Sequence, residues 1–411
     1  LGYVGLPLAV TFAKKGFKTT GFDVSEKRVL RIKNKENYIH DVKDKDLKTV
    51  VEKKFLNATT DFSFLKNTDA IIICVPTPLQ GKNPDMSFIN ASVEHVKDNL
   101  RKGHIIILES TTYPGTTKEV LLPPLEKTGL KEGKDFFLAF SPERVDPGNE
   151  KFKTENTPKV VGGVSFVSTV VAKTLYEQVI ETVIPVRSSG EAEMVKILEN
   201  TFRIVNIALV NELTELCERM ELNIWDIVDA AKTKPYGFMP FYPGPGVGGH
   251  CIPIDPLYLA WKAKTIGLDT KFIQLASHVN HHMPSYVIKR LDKLLTKKKK
   301  HPKILIIGVS YKKDVRDLRE TPVVEIIEQL QKQGKQVDYY DPLFHYFKIN
   351  NIDLKCSAID KKSLAKYDAA ILVTDHTKLP YKAFADGLKL IFDTRNAFAN
   401  RGIVRDNIKV L

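Results

Sequence analysis

The sequence predicts an α/β protein, with two Rossmann-like, doubly wound domains joined by a central region of long helices. Three observations carry that reading. Short apolar runs closing on polar, turn-forming residues alternate with helical stretches through roughly the first half of the chain. From Gly190 to Met220 the apolar period becomes that of one long helix, and near His301-Pro302 a second series of apolar strands begins. These shifts set expected domains at residues 1–189, 190–300 and 301–411.

The 411 residues suffice for two or three cores, and a hydrophobic content of 43% is that of an ordinary globular chain. The 62 Lys+Arg exceed the 49 Asp+Glu, which gives a net charge of +13 and favours anionic partners. Those partners are nucleic acid, a membrane surface or a phosphorylated small molecule; apart from Lys297–Lys300, read as a solvated helix end, the excess is diffuse and not interleaved with aromatics, which argues against nucleic acid. No apolar run is long enough to span a bilayer, so no membrane insertion is expected. Cys74, Cys217, Cys251 and Cys356 lie far apart without CxxC spacing, so neither a metal site nor a disulfide framework is indicated, and a reducing cytoplasm fits.

Taken in order, Gly2-Tyr3-Val4-Gly5 has the spacing of the last two glycines of GxGxxG and opens a helix over Leu8–Lys15. The first glycine and the strand preceding it are expected before Leu1. A strand over Lys18–Phe22 ends at Asp23, an acid at the spacing that contacts a ribose in the dinucleotide fold, where the helix N-terminus takes the pyrophosphate. Arg28 lies five residues on, either near the adenosine end of that cofactor or simply on a surface helix.

Ala70–Val75 then ends in Pro76-Thr77-Pro78, Ile105–Leu108 in Glu109-Ser-Thr111-Thr112, and Phe136–Phe140 in Ser141-Pro-Glu143-Arg144. Ligands of open parallel sheets bind at such strand ends. On the long helix, Met194, Ile197, Leu198, Phe202, Val205, Leu209, Leu213 and Leu216 form an apolar stripe expected to be its packed face. Lys196, Asn200 and Arg203 share the opposite face, which such spacing alone reads as solvated. A further helical region is expected from about Leu257 to Lys297.

The third domain begins with the strand at Lys303–Gly308, followed by a helix over Val323–Gln333 and strands at Gln336–Tyr340, Ala369–Val373 and Leu388–Phe392. Its first loop lacks GxGxxG but carries Lys312, Lys313, Arg316 and Arg319, groups suited to phosphate. Between the helical regions lies Gly244-Pro-Gly246-Val-Gly248-Gly249-His250-Cys251-Ile-Pro-Ile-Asp255-Pro256. Glycines permit close backbone approach, and a thiol, an imidazole and a carboxylate in one such run mark a site rather than a linker.

Together these stretches resemble the UDP-glucose/GDP-mannose dehydrogenase family of nucleotide-sugar 6-dehydrogenases. The shared pieces are Gly2-Tyr-Val-Gly5-Leu-Pro7, Val75-Pro-Thr-Pro78, Glu109–Thr116, Ser141–Arg144, Ala192–Lys196 with Glu199-Asn200, Gly248–Cys251, and Ser310–Lys312 with Arg319–Pro322. The resemblance implies NAD-dependent, four-electron oxidation of a sugar C6 hydroxyl to a carboxylate. Cys251 would be the nucleophile that holds the aldehyde, with Lys196, Asn200 and Asp255 at the reacting oxygen and Glu143 as base for thioester hydrolysis. It implies NAD contacts from Gly2, Tyr3, Val4, Gly5, Asp23, Arg28, Pro76, Thr77, Thr111, Glu143 and Arg319, and no metal. For the UDP-sugar it implies Lys196, Asn200, Arg203, Tyr242, Gly244, Gly246, Gly248, Gly249 and Lys312, with Lys234 as a cation offered to a neighbouring subunit of a homodimer or larger homo-oligomer.

Pro243–Pro256 and Trp261–Lys264 are most similar to members acting on UDP-N-acetyl-D-glucosamine. UDP-glucose and UDP-N-acetylmannosamine are alternatives. Readings of another class are an inactive nucleotide-binding module, which has no need of the set Cys251, Lys196, Asn200, Asp255 and Glu143, and a two-electron hydroxyacid dehydrogenase, which leaves Cys251 unexplained.

Overall fold

In the computed structural model, which describes all residues except 40, 82, 146–148, 150, 250 and 296–298, the chain divides into two bodies. The first comprises Leu1–Glu199 with Leu257–Leu268, the second Asn200–Pro256 with Asp269–Leu411.

The first body is built on a five-stranded sheet ordered Ala70–Ile73, Ile105–Leu108, Phe137–Phe140, Lys159–Gly163, Val183–Pro185. Successive residues of a strand face opposite sides, so the apolar runs serve two cores. Ile71, Ile73, Ile106, Leu108, Leu138 and Phe140 pack on one side, while Ile107, Ala139 and Val161 meet Leu8, Phe12, Ala172 and Tyr176 on the other. Each fully buried aliphatic side chain there contributes about 1.5–3 kcal/mol. Thr19–Phe22 pairs in parallel with Leu56–Thr59 as a separate two-stranded sheet, covered by a core that includes Leu6, Val29, Ile32 and Leu47.

One strand departs from the parallel pattern read from the sequence. Lys159–Gly163 runs antiparallel to Phe137–Phe140 and parallel to Val183–Pro185. A lysine at its start and two glycines at its end hide it from propensity. The glycines are needed for close approach, since a Cβ on Gly162 would lie 2.1 Å from Ser188 O and one on Gly163 2.3 Å from Thr169 N.

The second body holds an all-parallel sheet ordered Gln336–Tyr340, Lys303–Ile307, Ala369–Leu372, Ile391–Asp393, Ile408–Val410. Helices Lys271–Leu294 and Val323–Lys332 bury Val287, Leu291, Ile326 and Leu330 against one face, and Tyr381–Gly387 buries Tyr381 and Phe384 against the other, so this sheet is covered on both sides. The strand expected from Leu388 begins only at Ile391, because the helix runs to Gly387. A hairpin of Tyr346–Ile349 and Ile352–Lys355 had no counterpart in the sequence reading. The helical region read as continuous from Leu257 is two helices, Asp255–Thr265 and Lys271–Leu294, parted at Gly267, whose φ of +78° is left-handed.

Helix Ser189–Arg219 is present as expected, with Ile197 buried and Arg203 exposed as read, but much of its expected packed face is exposed and several of its polar side chains are buried. Leu198, Phe202, Leu209, Leu213 and Leu216 are 38–59% exposed, whereas Glu193, Asn200, Asn211 and Thr214 are buried. The polar side chains are tolerated inside because each has a partner. Asn211 Nδ2 donates to Asn280 Oδ1 at 2.9 Å, and Thr214 Oγ1 to Val210 O at 2.7 Å. Among the described residues no helix is long and apolar enough to cross a membrane.

Candidate active site

The first body places its candidate residues at strand ends. Gly5 opens helix Gly5–Lys14, preceded by Gly2, Val4 and the exposed Tyr3. Asp23, at the end of Thr19–Phe22, is 7% exposed. Its Oδ1 accepts from Ser25 N at 2.8 Å, and its Oδ2 lies 3.2 Å from Arg28 Nη1. Arg28 thus answers Asp23 directly. These groups fit NAD: a buried, ionised acid at a strand end beside a helix N-terminus suits ribose hydroxyls and a pyrophosphate, and repels the 2′-phosphate of NADP.

Pro76 and Thr77 follow the next strand, where Ser110 Oγ accepts from Val75 N and donates to Val75 O, both at 2.8 Å. Thr111 opens a loop in which Thr112 and Thr116 hydroxyls pair at 2.7 Å. Glu193 clamps this loop: it accepts from Gly115 N at 2.5 Å, Thr117 N at 2.8 Å and Thr117 Oγ1 at 2.6 Å. Burial pushes its carboxyl up to about 7 despite those donors. One turn along the same helix, Lys196 Nζ donates to Glu143 O at 2.5 Å. Glu143 Oε1 accepts from the amides of Arg144 at 2.7 Å and Val145 at 2.6 Å, and Arg144 Nη2 pairs with Glu199 at 2.6 Å. Lys196 and Glu143, far apart in sequence, are therefore brought together.

The second body brings together another pair. Asn200 Nδ2 donates to Asp255 Oδ2 at 2.6 Å, with Asn200 5% and Asp255 4% exposed. Cys251 is exposed and begins the turn that leads into helix Asp255–Thr265, its carbonyl accepting from Asp255 N at 2.9 Å. At the other end of the loop, Gly244 N donates to Asn211 Oδ1 at 3.0 Å. Two buried asparagines, 11 residues apart on one helix, thus fix the loop at both ends. His250 lies outside the described residues.

The loop glycines serve protein packing as well as access. A Cβ on Gly249 would lie 2.6 Å from the Tyr311 ring, one on Gly248 2.7 Å from Glu320 O, and one on Gly244 2.4 Å from Arg395 Nη1, while Gly246 takes φ +125°. Gly249 N also donates to Arg319 O at 3.1 Å, joining the loop to the segment that carries the half-buried Lys312. The Arg319 guanidinium meets Asp317 through Nε at 2.9 Å and Nη2 at 2.6 Å. Tyr242 stacks on Trp225 with ring centroids 5.7 Å apart and donates to Asp229 at 2.7 Å. Arg203 is exposed. Trp225, Lys232, Tyr242, Arg395 and Asn396 line a cavity of about 350 Å³ in this body.

Three models of one family match the chain in order: the NAD binding domain of the UDP-glucose/GDP-mannose dehydrogenase family over residues 1–180, its central domain over 190–282 and its UDP binding domain over 305–400. The chain belongs to the UDP-glucose/GDP-mannose dehydrogenase family. It is an NAD-using oxidoreductase of the UDP-sugar 6-dehydrogenases. It is 36% identical over 414 residues to the UDP-N-acetyl-D-mannosamine dehydrogenase of Methanococcus maripaludis, covering 96% of this chain and 91% of that protein. It is also 36% identical over 390 residues to the UDP-N-acetyl-D-glucosamine 6-dehydrogenase of Pseudomonas aeruginosa, covering 92% and 89%. The solved UDP-D-ManNAc dehydrogenase of Pyrococcus horikoshii superposes with a TM-score of 0.89 at 31% identity, covering 100% of this chain and 97% of that one. The three-domain architecture of the family, with its Rossmann-like NAD-binding domain, is that of this dehydrogenase.

Glu193, Asn211 and Arg395 escaped the sequence reading. Arg395 follows the strand end at Asp393 and donates through Nε to Val373 O at 2.9 Å. Its position just beyond a strand of a parallel sheet was the available signal.

Proposed function

We propose that this dehydrogenase oxidises the C6 hydroxyl of a UDP-N-acetylhexosamine to the uronate, with UDP-N-acetyl-D-glucosamine as first choice. The observation that carries the proposal is the buried Asn200–Asp255 bond of 2.6 Å at the base of the turn opened by Cys251. A loop that only wrapped a diphosphate has no need to lock an acid four residues from an exposed thiol.

The chemistry follows from these groups. NAD, when bound, accepts the hydride lost from C6 in each of the two oxidations. Asp255, directly or through water, takes the proton of the C6 hydroxyl, while Lys196 and Asn200 stabilise the oxygen as its charge develops. Cys251 adds to the aldehyde, so the intermediate stays bound as a thiohemiacetal; its oxidation leaves a thioester. Glu143 then takes a proton from water, the water oxygen bonds to the carbonyl carbon, and the Cys251 thiolate leaves. Gly2, Tyr3, Val4, Gly5, Asp23, Arg28, Pro76, Thr77, Thr111, Glu143 and Arg319 are assigned to NAD. Arg203, Tyr242, Gly244, Gly246, Gly248, Gly249 and Lys312 join Lys196 and Asn200 for the UDP-sugar. We further assign the exposed stripe of helix Ser189–Arg219 to a contact between copies of the chain.

UDP-N-acetylmannosamine is the second reading, favoured by the likeness to the Methanococcus and Pyrococcus proteins. Initial rates with the three purified sugar nucleotides test both. The expected kcat/KM for an N-acetylated substrate exceeds that for UDP-glucose at least tenfold, and a preference for UDP-glucose refutes the acetamido assignment.

A further inference from the structure

Strand Lys159–Gly163 carries an ammonium group into the interior of the first body. Lys159 is 6% exposed and lies between two carboxylates, with Nζ 2.9 Å from Glu109 Oε1 and 3.9 Å from Glu143 Oε2. The Glu109 side chain is wholly enclosed; its Oε1 also accepts from Tyr176 Oη, and the Tyr176 ring centroid lies 5.0 Å from the lysine nitrogen. Burying an ion pair costs several kcal/mol in desolvation, and apolar residues of similar volume often serve stability as well or better. Stability alone therefore gives no reason for this arrangement.

The Glu143 side of the network gives one. Its two carboxylate oxygens are used differently: Oε1 is taken by the Arg144 and Val145 amides, while Oε2 faces Lys159 at 3.9 Å. That separation lets the positive charge orient Oε2 without consuming a lone pair, so the oxygen keeps an acceptor for a water proton. The loop is tied to the same strand on either side of Lys159, with Ser141 Oγ donating to Val160 O and Arg144 Nη1 to Pro158 O, both at 2.7 Å. Burial works against the charge on Lys159, but Glu109 and Glu143 outweigh it and hold the ammonium pKa above its ordinary value.

We propose that Lys159, anchored by Glu109 and Tyr176, is a positioning residue for Glu143 that sets its carboxylate as the base of thioester hydrolysis. This rests on the assignment of Glu143 under Proposed function. In the step it serves, a water O–H bond breaks toward Glu143, the C–O bond forms, and the C–S bond breaks with its electron pair left on Cys251. Lys159 itself takes no part in either hydride transfer; because Glu143 is also assigned to NAD, the comparison is made at saturating cofactor, where loss of the lysine slows the last step most.

The test is a single-turnover experiment on the full chain with saturating NAD and the preferred UDP-N-acetylhexosamine, following NADH, released uronate and covalent mass on Cys251. Lys159→Met is expected to form two NADH per site at close to the wild-type rate, to release uronate at least tenfold more slowly, and to accumulate the thioester. Lys159→Arg is expected to recover part of the rate. The double variant Glu109→Leu/Lys159→Met leaves no lone charge in the interior and guards against a folding defect; it is expected to show the same stalled thioester. Wild-type uronate release by both methionine-bearing variants, with Glu143→Gln stalled, overturns the role of Lys159 and leaves that of Glu143 standing. Wild-type release by Glu143→Gln overturns both.

Discussion

Glu193 shows how a single side chain governs the site without belonging to its chemistry. Its three acceptor contacts tie the loop after Thr111 to the helix that carries Lys196. Because burial raises its carboxyl to about 7, against about 4.3 in an unfolded chain, the folded state binds the extra proton between those values. Its stabilising contribution is present below the lower value and is lost as pH rises through about 7, by at most on the order of 4 kcal/mol. Glu193→Gln is expected to remove that slope, so the difference between wild-type and variant urea midpoints falls from pH 5 to pH 8; a constant difference contradicts the account. Cys251 and Asp255 stood out in the sequence because a thiol and an acid are rare in a glycine-rich run. Glu193, Lys159 and Asn211 did not, since each reads as an ordinary polar residue until tertiary packing buries it.

At the scale of elements, the long helix was legible in length but only in part in orientation, with Ile197 buried and Arg203 exposed as read. Its apolar period is clear, yet the packed face is chosen by what covers it, and here Asn280, Gly115 and Thr117 satisfy polar groups on the face that spacing alone would have left to water. The exposed Leu198, Phe202, Leu209, Leu213 and Leu216 form the stripe proposed above as a contact between copies. Leu209→Asp/Leu213→Asp is expected to shift the mass seen by light scattering toward the monomer while retaining helical circular dichroism. An unchanged mass in that variant, or a monomeric wild type, removes the assignment. Strand Lys159–Gly163 was hidden for the opposite reason: lysine and paired glycines are weak strand formers, and only the neighbouring strands make the segment extended.

Over the whole molecule, the alternation of strands and helices and the change of period near residues 190 and 301 made the α/β class readable. What stayed unread was the set of contacts joining distant segments: Glu143 to Lys196, Asn200 to Asp255, and Gly244 to Asn211. Sequence spacing carries no record of these, because each depends on where a loop returns to a helix. Each holds its own group in a fixed local setting, Lys196 in the first body and Asp255 beside the Cys251 turn in the second; the proposed function needs such groups to retain an aldehyde through a second oxidation. The measurement that tests this most directly is the number of NADH formed per uronate with a UDP-N-acetylhexosamine, in wild type and in Cys251→Ala. Two NADH per uronate in wild type, and at most one hydride and no uronate in the variant, are predicted. One NADH per product, or undiminished uronate from Cys251→Ala, would contradict the covalent four-electron account.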